Sequence, residues 1–231
     1  INLSRHTLGG MLDRKKIEET VSVSMRMLDN VIDLNFYPTI EAKNSNMSDR
    51  PVGLGVGGFQ DALYELDIAF DSEKCVEFAD RCQELIAYHA IMSSSLLAHE
   101  RGTYPSYEGS KWDRGIFPVD TIDLLEQERG EEIIVDRRGS LDWSAVRELV
   151  KLHGMRNSNT MAIAPTASTS TIVGCTPTIE PMYKNIYVKA NISGDFSVVN
   201  PFLINDLKQL NLWNEKMLEK LKFNDGSVAS I

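Results

Sequence analysis

Cysteine is scarce: Cys75, Cys82 and Cys175 are the only three in 231 residues, an odd number with no CxxC spacing. A disulfide framework draws on an even set of cysteines and a zinc site on closely paired ones, so neither is expected and all three should be free thiols. Basic residues are also in deficit, 24 Lys and Arg against 33 Asp and Glu, for a formal net charge of -9. Neither a nucleic acid nor an anionic membrane attracts a net anion, so neither is expected as a partner. A single loop can still hold a small anion inside an acidic protein. No run of eighteen or more apolar residues occurs, and no basic stretch followed by a hydrophobic one opens the chain. Neither a membrane span nor a secretory signal is therefore read, and the expected location is cytoplasmic.

What is present has globular composition, 42% hydrophobic and 25% charged, enough to bury a real core. Ile17, Val21, Met25, Leu28 and Ile32 recur at helical spacing after Asp13 and predict an amphipathic helix over 13–34. A polar loop is expected over 41–50, then a short buried strand or tight turn in Pro51-Val-Gly-Leu-Gly-Val-Gly-Gly-Phe59 and a short helix over 60–66. The longest helical pattern runs from an N-cap at Ser72 to Glu100, with Val76, Ala79, Cys82, Ile86 and His89 on one stripe and Gly102 beyond its end. His89 is expected to be a hydrogen-bonded interior histidine, because no second metal ligand stands three or four residues away.

The aromatic stretch 103–123 reads as a loop that covers a cleft or packs over the core, and the charged run 126–138 as a solvated excursion. Asp142 begins a helix that Gly154 closes. Strand-like segments follow at 160–164 and 185–190, and Asn200-Pro201 caps a helix running through Leu210. Helices alternate with short strands, without repeats or a visible internal boundary, so residues 1–231 are expected to form one α/β unit. The chain opens at Ile1 and closes with Ser227–Ile231 after an Asn-Asp-Gly turn, and is expected to be a piece of a longer protein.

Gly53-Leu-Gly-Val-Gly-Gly58 has the letters of a dinucleotide fingerprint. The stretch before it is polar rather than an apolar strand, and no second strand supplies an acidic residue for a ribose. Close backbone packing is the better account. The informative segment is Ala164-Pro-Thr-Ala-Ser-Thr-Ser-Thr-Ile172, whose five hydroxyls surround one alanine directly after a strand-like run. Hydroxyls and free amides at a strand end suit a phosphate, because they donate to its oxygens without a local cation. On composition alone, a Ser/Thr-rich turn explains it equally well.

The surroundings decide between the two. His153-Gly-Met-Arg-Asn157, Ala164-Pro-Thr-Ala-Ser-Thr169 and Ile179-Glu-Pro181, followed by Asn185-Ile-Tyr187, resemble the C-terminal half of the barrel in ribonucleotide reductase large subunits. Asn2-Leu3, Arg50 with the glycine run, Glu100-Arg-Gly-Thr-Tyr104 and Gly115-Ile-Phe-Pro118 fall in that family's order. The resemblance covers nearly the whole chain and is strongest to the oxygen-dependent class I enzymes.

It implies a fold that is part of a ten-stranded α/β barrel with outer helices, and places the substrate diphosphate on Thr166, Ala167, Ser168 and Thr169. Pro165 would set the turn. Arg156 and Glu180 match framework positions and are expected to pair near the barrel mouth, and Arg156 is a possible supporting contact to phosphate. Cys175 matches no redox cysteine of the family. No catalytic residue or metal ligand is assigned in this chain, because the family's Asn-x-Cys-x-Glu radical loop is absent. The complete enzyme would reduce ribonucleoside diphosphates with a radical from a metal-containing small subunit, a thioredoxin- or glutaredoxin-type reductant and nucleotide effectors. The implied partners are the remainder of the large subunit, that small subunit and a second large subunit. By itself the chain is expected to bind no cofactor, to be inactive and to be poorly stable. The competing reading is a non-catalytic nucleotide-phosphate-binding or assembly module derived from the barrel.

Overall fold

The computed structural model describes residues 1–192 and 194–229, so the closing Ser230-Ile231 of the sequence lies outside the described residues. Contacts separate two compact units, Ile1–Ile179 and Glu180–Ile231, where the sequence reading draws no boundary.

The first unit is organised around three short extended segments. Asn2 bridges Gly57 and Leu54 bridges Met161, both in parallel. Leu3 N–H donates to Gly57 O at 2.9 Å, Leu54 N–H to Thr160 O at 3.0 Å, and Ala162 N–H to Leu54 O at 3.2 Å. Parallel neighbours need long crossover connections, and helices supply them here. A small hairpin comes first, β1 (Thr7–Leu8) and β2 (Met11–Leu12), then α1 (Arg14–Leu34) and α2 (Ile40–Asp49). After the glycine run come α3 (Phe59–Glu65), α4 (Glu73–Arg101), α5 (Thr121–Arg129) and α6 (Trp143–His153). α7 (Ala167–Val173) follows the third segment. The expected α/β alternation is therefore present, and the described residues contain no closed barrel.

The helix ends lie where the side-chain chemistry puts them. The Asp13 carboxylate accepts from Lys16 N–H, Ser72 Oγ from Cys75 N–H and the Asp142 carboxylate from Ser144 N–H, each satisfying a first-turn amide. Ile17, Val21, Met25 and Ile32 of α1 are buried with Cys75, Phe78, Cys82, Leu85 and Ile86 of α4 in the main core. Tyr104 and Phe117 of the aromatic stretch are buried with Ile91, Val146, Val150 and Met155, so that stretch packs over a second cluster.

Three expectations need correction. Residues 41–50 are helical rather than loop. Thr39 caps α2 by accepting from Ala42 N–H at 3.2 Å, and Arg50 ends it in the left-handed region at φ 44°. Val76 is 70% exposed, so it is off the buried stripe of α4, which runs through Cys75, Phe78, Cys82 and Leu85 instead. His89 is half-buried with its ring edge-on to Tyr88, but it makes no hydrogen bond among the described residues.

In the second unit, β3 (Ile186–Asn191) pairs antiparallel with β4 (Gly194–Val199), and α8 (Pro201–Gln209) and α9 (Glu215–Phe223) follow. Asn200 caps α8 as the sequence predicts, accepting from Phe202 N–H at 3.0 Å. Leu207, Met217 and Leu221 form its small core. No described helix is long and apolar enough to cross a membrane.

Candidate functional site

The glycine run and the hydroxyl-rich loop face the same cavity, of about 230 Å³, lined by Gly53, Gly55, Gly57, Ala162, Thr166 and Thr169 among others. The glycines are there for backbone proximity. A Cβ on Gly55 would stand 2.6 Å from Ala162 O, and one on Gly53 3.0 Å from Ala162 Cβ. That is the close-packing account, and it brings the segments at 52–57 and 159–162 into register beside the loop.

Pro165 carries the chain outward, and Thr166 turns it at φ 48°, a left-handed conformation that L-residues with a branched Cβ rarely adopt. α7 starts immediately after. The amides of Ala167, Ser168 and Thr169 donate to no acceptor among the described residues, as expected of first-turn amides, and all three residues are exposed. The Ser168 and Thr169 hydroxyls likewise have no hydrogen-bond partner there, so amides and hydroxyls are available together.

Thr166 is different. Its Oγ1 accepts from Thr178 N–H at 2.9 Å and lies 3.0 Å from Thr178 Oγ1. Thr178 Oγ1 in turn donates to Ala164 O at 2.6 Å. A hydroxyl has one proton, so with that of Thr178 on Ala164 O, the 3.0 Å contact has Thr166 as donor. The Thr166 hydroxyl is thus committed inside the loop. Nothing in the residue pattern pointed to Thr178, which is twelve positions away.

Arg156 lies elsewhere. Its guanidinium reaches Asp29 Oδ1 at 3.3 Å and the Arg101 and Gly102 carbonyls at 3.2 Å each, within a buried network that also holds Arg50, Arg101 and Asn157. The expected pairing with Glu180 needs correction: Arg156 takes Asp29 as its partner, while Glu180 is exposed in the second unit and makes no ion pair among the described residues. All three cysteines are free. Cys82 is buried and its thiol is pushed up to about 12, while half-buried Cys175 lines the cavity. Among the described residues no group of three or more His, Cys, Asp or Glu side chains could hold a metal ion.

These features define an α/β protein in which helices connect short extended segments bridged in parallel, with a hydroxyl-bearing loop after one of them. The chain belongs to the ribonucleotide reductase barrel-domain family, whose model matches residues 1–231 and so spans both units. It is 57% identical to the ribonucleoside-diphosphate reductase subunit alpha of Chlamydia pneumoniae, over 100% of this chain and 22% of that protein. With the subunit alpha of Helicobacter pylori the identity is 42% over 92% of the chain and 26% of the relative. With the large chain of Schizosaccharomyces pombe it is 39% over 96% and 26%. The chain thus spans about a quarter of the length of these relatives.

Proposed function

We propose that this chain is part of the catalytic subunit of a class I ribonucleoside-diphosphate reductase and that the loop of Thr166, Ala167, Ser168 and Thr169 holds the substrate's diphosphate. The observation that carries this reading is the loop itself: three unpartnered amides and the Ser168 and Thr169 hydroxyls lie on exposed residues directly after an extended segment, beside a cavity that Thr166 and Thr169 line. Such donors satisfy phosphate oxygens without a cation, which suits a chain of net charge -9. Thr166 and Pro165 shape the turn, and Arg156 supports the segment from Asn157 to Ala164 that leads into it.

In this reading the two units are portions of one ten-stranded α/β barrel, completed by the rest of the subunit, and the assembly works in the cytoplasm. Exposed Val23, Met27, Val31 and Leu34 on α1, with Phe36 after it, support a missing cover. A small subunit carrying a metal-based radical, a dithiol reductant, nucleotide effectors and a second large subunit would complete the machinery. Hydrogen abstraction from the ribose needs a thiyl radical, and the chain has no Asn-x-Cys-x-Glu loop to carry one. Positioning a diphosphate therefore gives no turnover by itself.

The test is Ser168→Ala combined with Thr169→Val. Each removed hydrogen bond to an anionic phosphate oxygen should weaken nucleoside-diphosphate binding about tenfold or more. Unchanged affinity would remove the loop from the site, and deoxynucleotide formation by the purified chain would contradict the inactive-alone reading.

A further inference from the structure

We infer that Thr178 is a positioning residue for the phosphate loop: it clamps Thr166 in the left-handed conformation that aims the amides of residues 167–169 and the Ser168 and Thr169 hydroxyls at one ligand. The inference rests on the diphosphate reading above.

Three contacts make the clamp. Thr178 N–H donates to Thr166 Oγ1 at 2.9 Å, Thr166 Oγ1 donates to Thr178 Oγ1 at 3.0 Å, and Thr178 Oγ1 donates to Ala164 O at 2.6 Å. Ala164, just before the loop, and Thr166, at its start, are therefore tied to one residue. Thr178 is itself anchored from behind. It is 3% exposed, its carbonyl accepts from Phe59 N–H at the start of α3, and Thr176 N–H donates to Asp61 Oδ2 at 2.7 Å.

The backbone gives a second, independent reason. Thr166 at φ 48° and Thr178 at φ 41° are both β-branched residues in the left-handed region. Such conformations are unfavourable and persist only where the surroundings over-determine them. Here each threonine supplies the hydrogen bonds that hold the other. Without the pair, nothing offsets the cost of the left-handed conformation at Thr166, which relaxes toward the β region. The first amides of α7 and the Ser168 and Thr169 hydroxyls then no longer point the same way. The Thr166 hydroxyl acts through the clamp rather than on phosphate.

The probe is inorganic pyrophosphate titrated into a longer subunit that contains this chain, with the selectively labelled amides of residues 167–169 followed by NMR. Thr178→Val keeps the side-chain shape and the backbone donor but removes the hydroxyl. It removes two of the three clamp hydrogen bonds and should raise the dissociation constant about fivefold or more. Thr178→Ser, which keeps the hydroxyl, should restore the native value. The double variant Thr166→Val with Thr178→Val should bind no more weakly than the weaker single variant, because residues acting through one contact are not additive. A purely structural threonine would give neither the serine rescue nor the non-additivity. Native affinity in Thr178→Val, alongside weakened binding in Ser168→Ala, would overturn the clamp and leave the loop reading standing. Native affinity in every variant, or no shift at residues 167–169 in the native subunit, would overturn the loop reading and the clamp with it.

Discussion

Asp29, in the middle of α1, and Arg50, the left-handed residue that ends α2, are buried against each other, with Arg50 Nη2 2.7 Å from Asp29 Oδ1 and side-chain exposures of 0% and 4%. The same carboxylate also receives Arg101 at 2.9 Å and Arg156 at 3.3 Å. One acid therefore ties together the ends of α2 and α4 and the segment after α6. Asn157 completes the joint, donating to Arg50 O at 3.0 Å.

Removing that acid should be severe. Asp29→Ala removes the buried counter-charge shared by Arg50, Arg101 and Arg156 and leaves Arg50 only the half-exposed Asp33, and breaking a buried pair on one side costs about 3–5 kcal/mol. The urea midpoint of the chain, or of a longer subunit containing it, should fall accordingly. Glu100→Ala, at the half-exposed pair with Arg26, should leave the midpoint nearly unchanged. Similar midpoints for the two variants would contradict the assignment of the joint.

The glycine run makes a steric prediction. Gly55→Ala pushes a methyl group to 2.6 Å from the Ala162 carbonyl, and backbone on both sides cannot yield cheaply. Overpacking of this kind costs about 1–3 kcal/mol. Gly130→Ala, at φ 71° with nothing within 4 Å, suffers only the left-handed strain, about 1 kcal/mol. Thermal melts of the two variants should separate clearly, and a Gly55→Ala melt no lower than that of Gly130→Ala would mean that the two segments are further apart than described.

The helices with both a cap and an apolar stripe were legible in the sequence: α1 behind Asp13, α4 behind Ser72 and α6 behind Asp142. α2 was not, because none of its residues is buried and so no stripe exists to read. Val76 was placed on the wrong face because Cys75 and Val76 each fit an apolar period and only packing against α1 selects Cys75. The loop at 165–169 was legible through its hydroxyl density and its neighbours in sequence. Its dependence on Thr178 was not, since that pairing arises where α3 and the loop meet in space. The parallel bridges at Asn2 and Leu54 are too short to leave any period in the sequence.

Asp61 should make native stability respond to pH in an unusual direction. Burial pushes its carboxyl above the ordinary value of 3.8, despite the hydrogen bond from Thr176 N–H. A group whose folded pKa is raised binds its proton more tightly in the native state. Its contribution is then complete below the unfolded value and is lost as pH rises through the folded one. Asp61→Asn removes this dependence and keeps an oxygen for the Thr176 amide. The variant should therefore gain on the native chain as pH rises above 3.8. Denaturant midpoints measured for both from acid to neutral pH check this, and comparing the two cancels the opposite trend of Asp33 and Asp120, whose carboxyls arginine partners hold below the ordinary range. A native advantage that widens with rising pH would reverse the assignment.

The thiols should react in an order set by burial rather than by number. The thiolate is the nucleophile, so a thiol both inaccessible and hard to ionise is inert. Cys82, in the core between α1 and α4 and pushed up to about 12, is inert on both counts. Cys75 is buried at the start of the same helix. Cys175 is raised by burial too, but it is only half-buried and lines the cavity beside Thr166 and Thr169. Brief treatment of the folded chain with a maleimide at pH 8 should label Cys175 first and leave Cys82 until denaturant is added. Because Cys175 shares that cavity with the loop, pyrophosphate should also slow its labelling while leaving the rate at Cys75 alone. Labelling of Cys82 as fast as Cys175 would mean that the α1–α4 core opens readily, and protection of Cys75 by pyrophosphate would mean that the anion acts on the whole fold rather than at the loop.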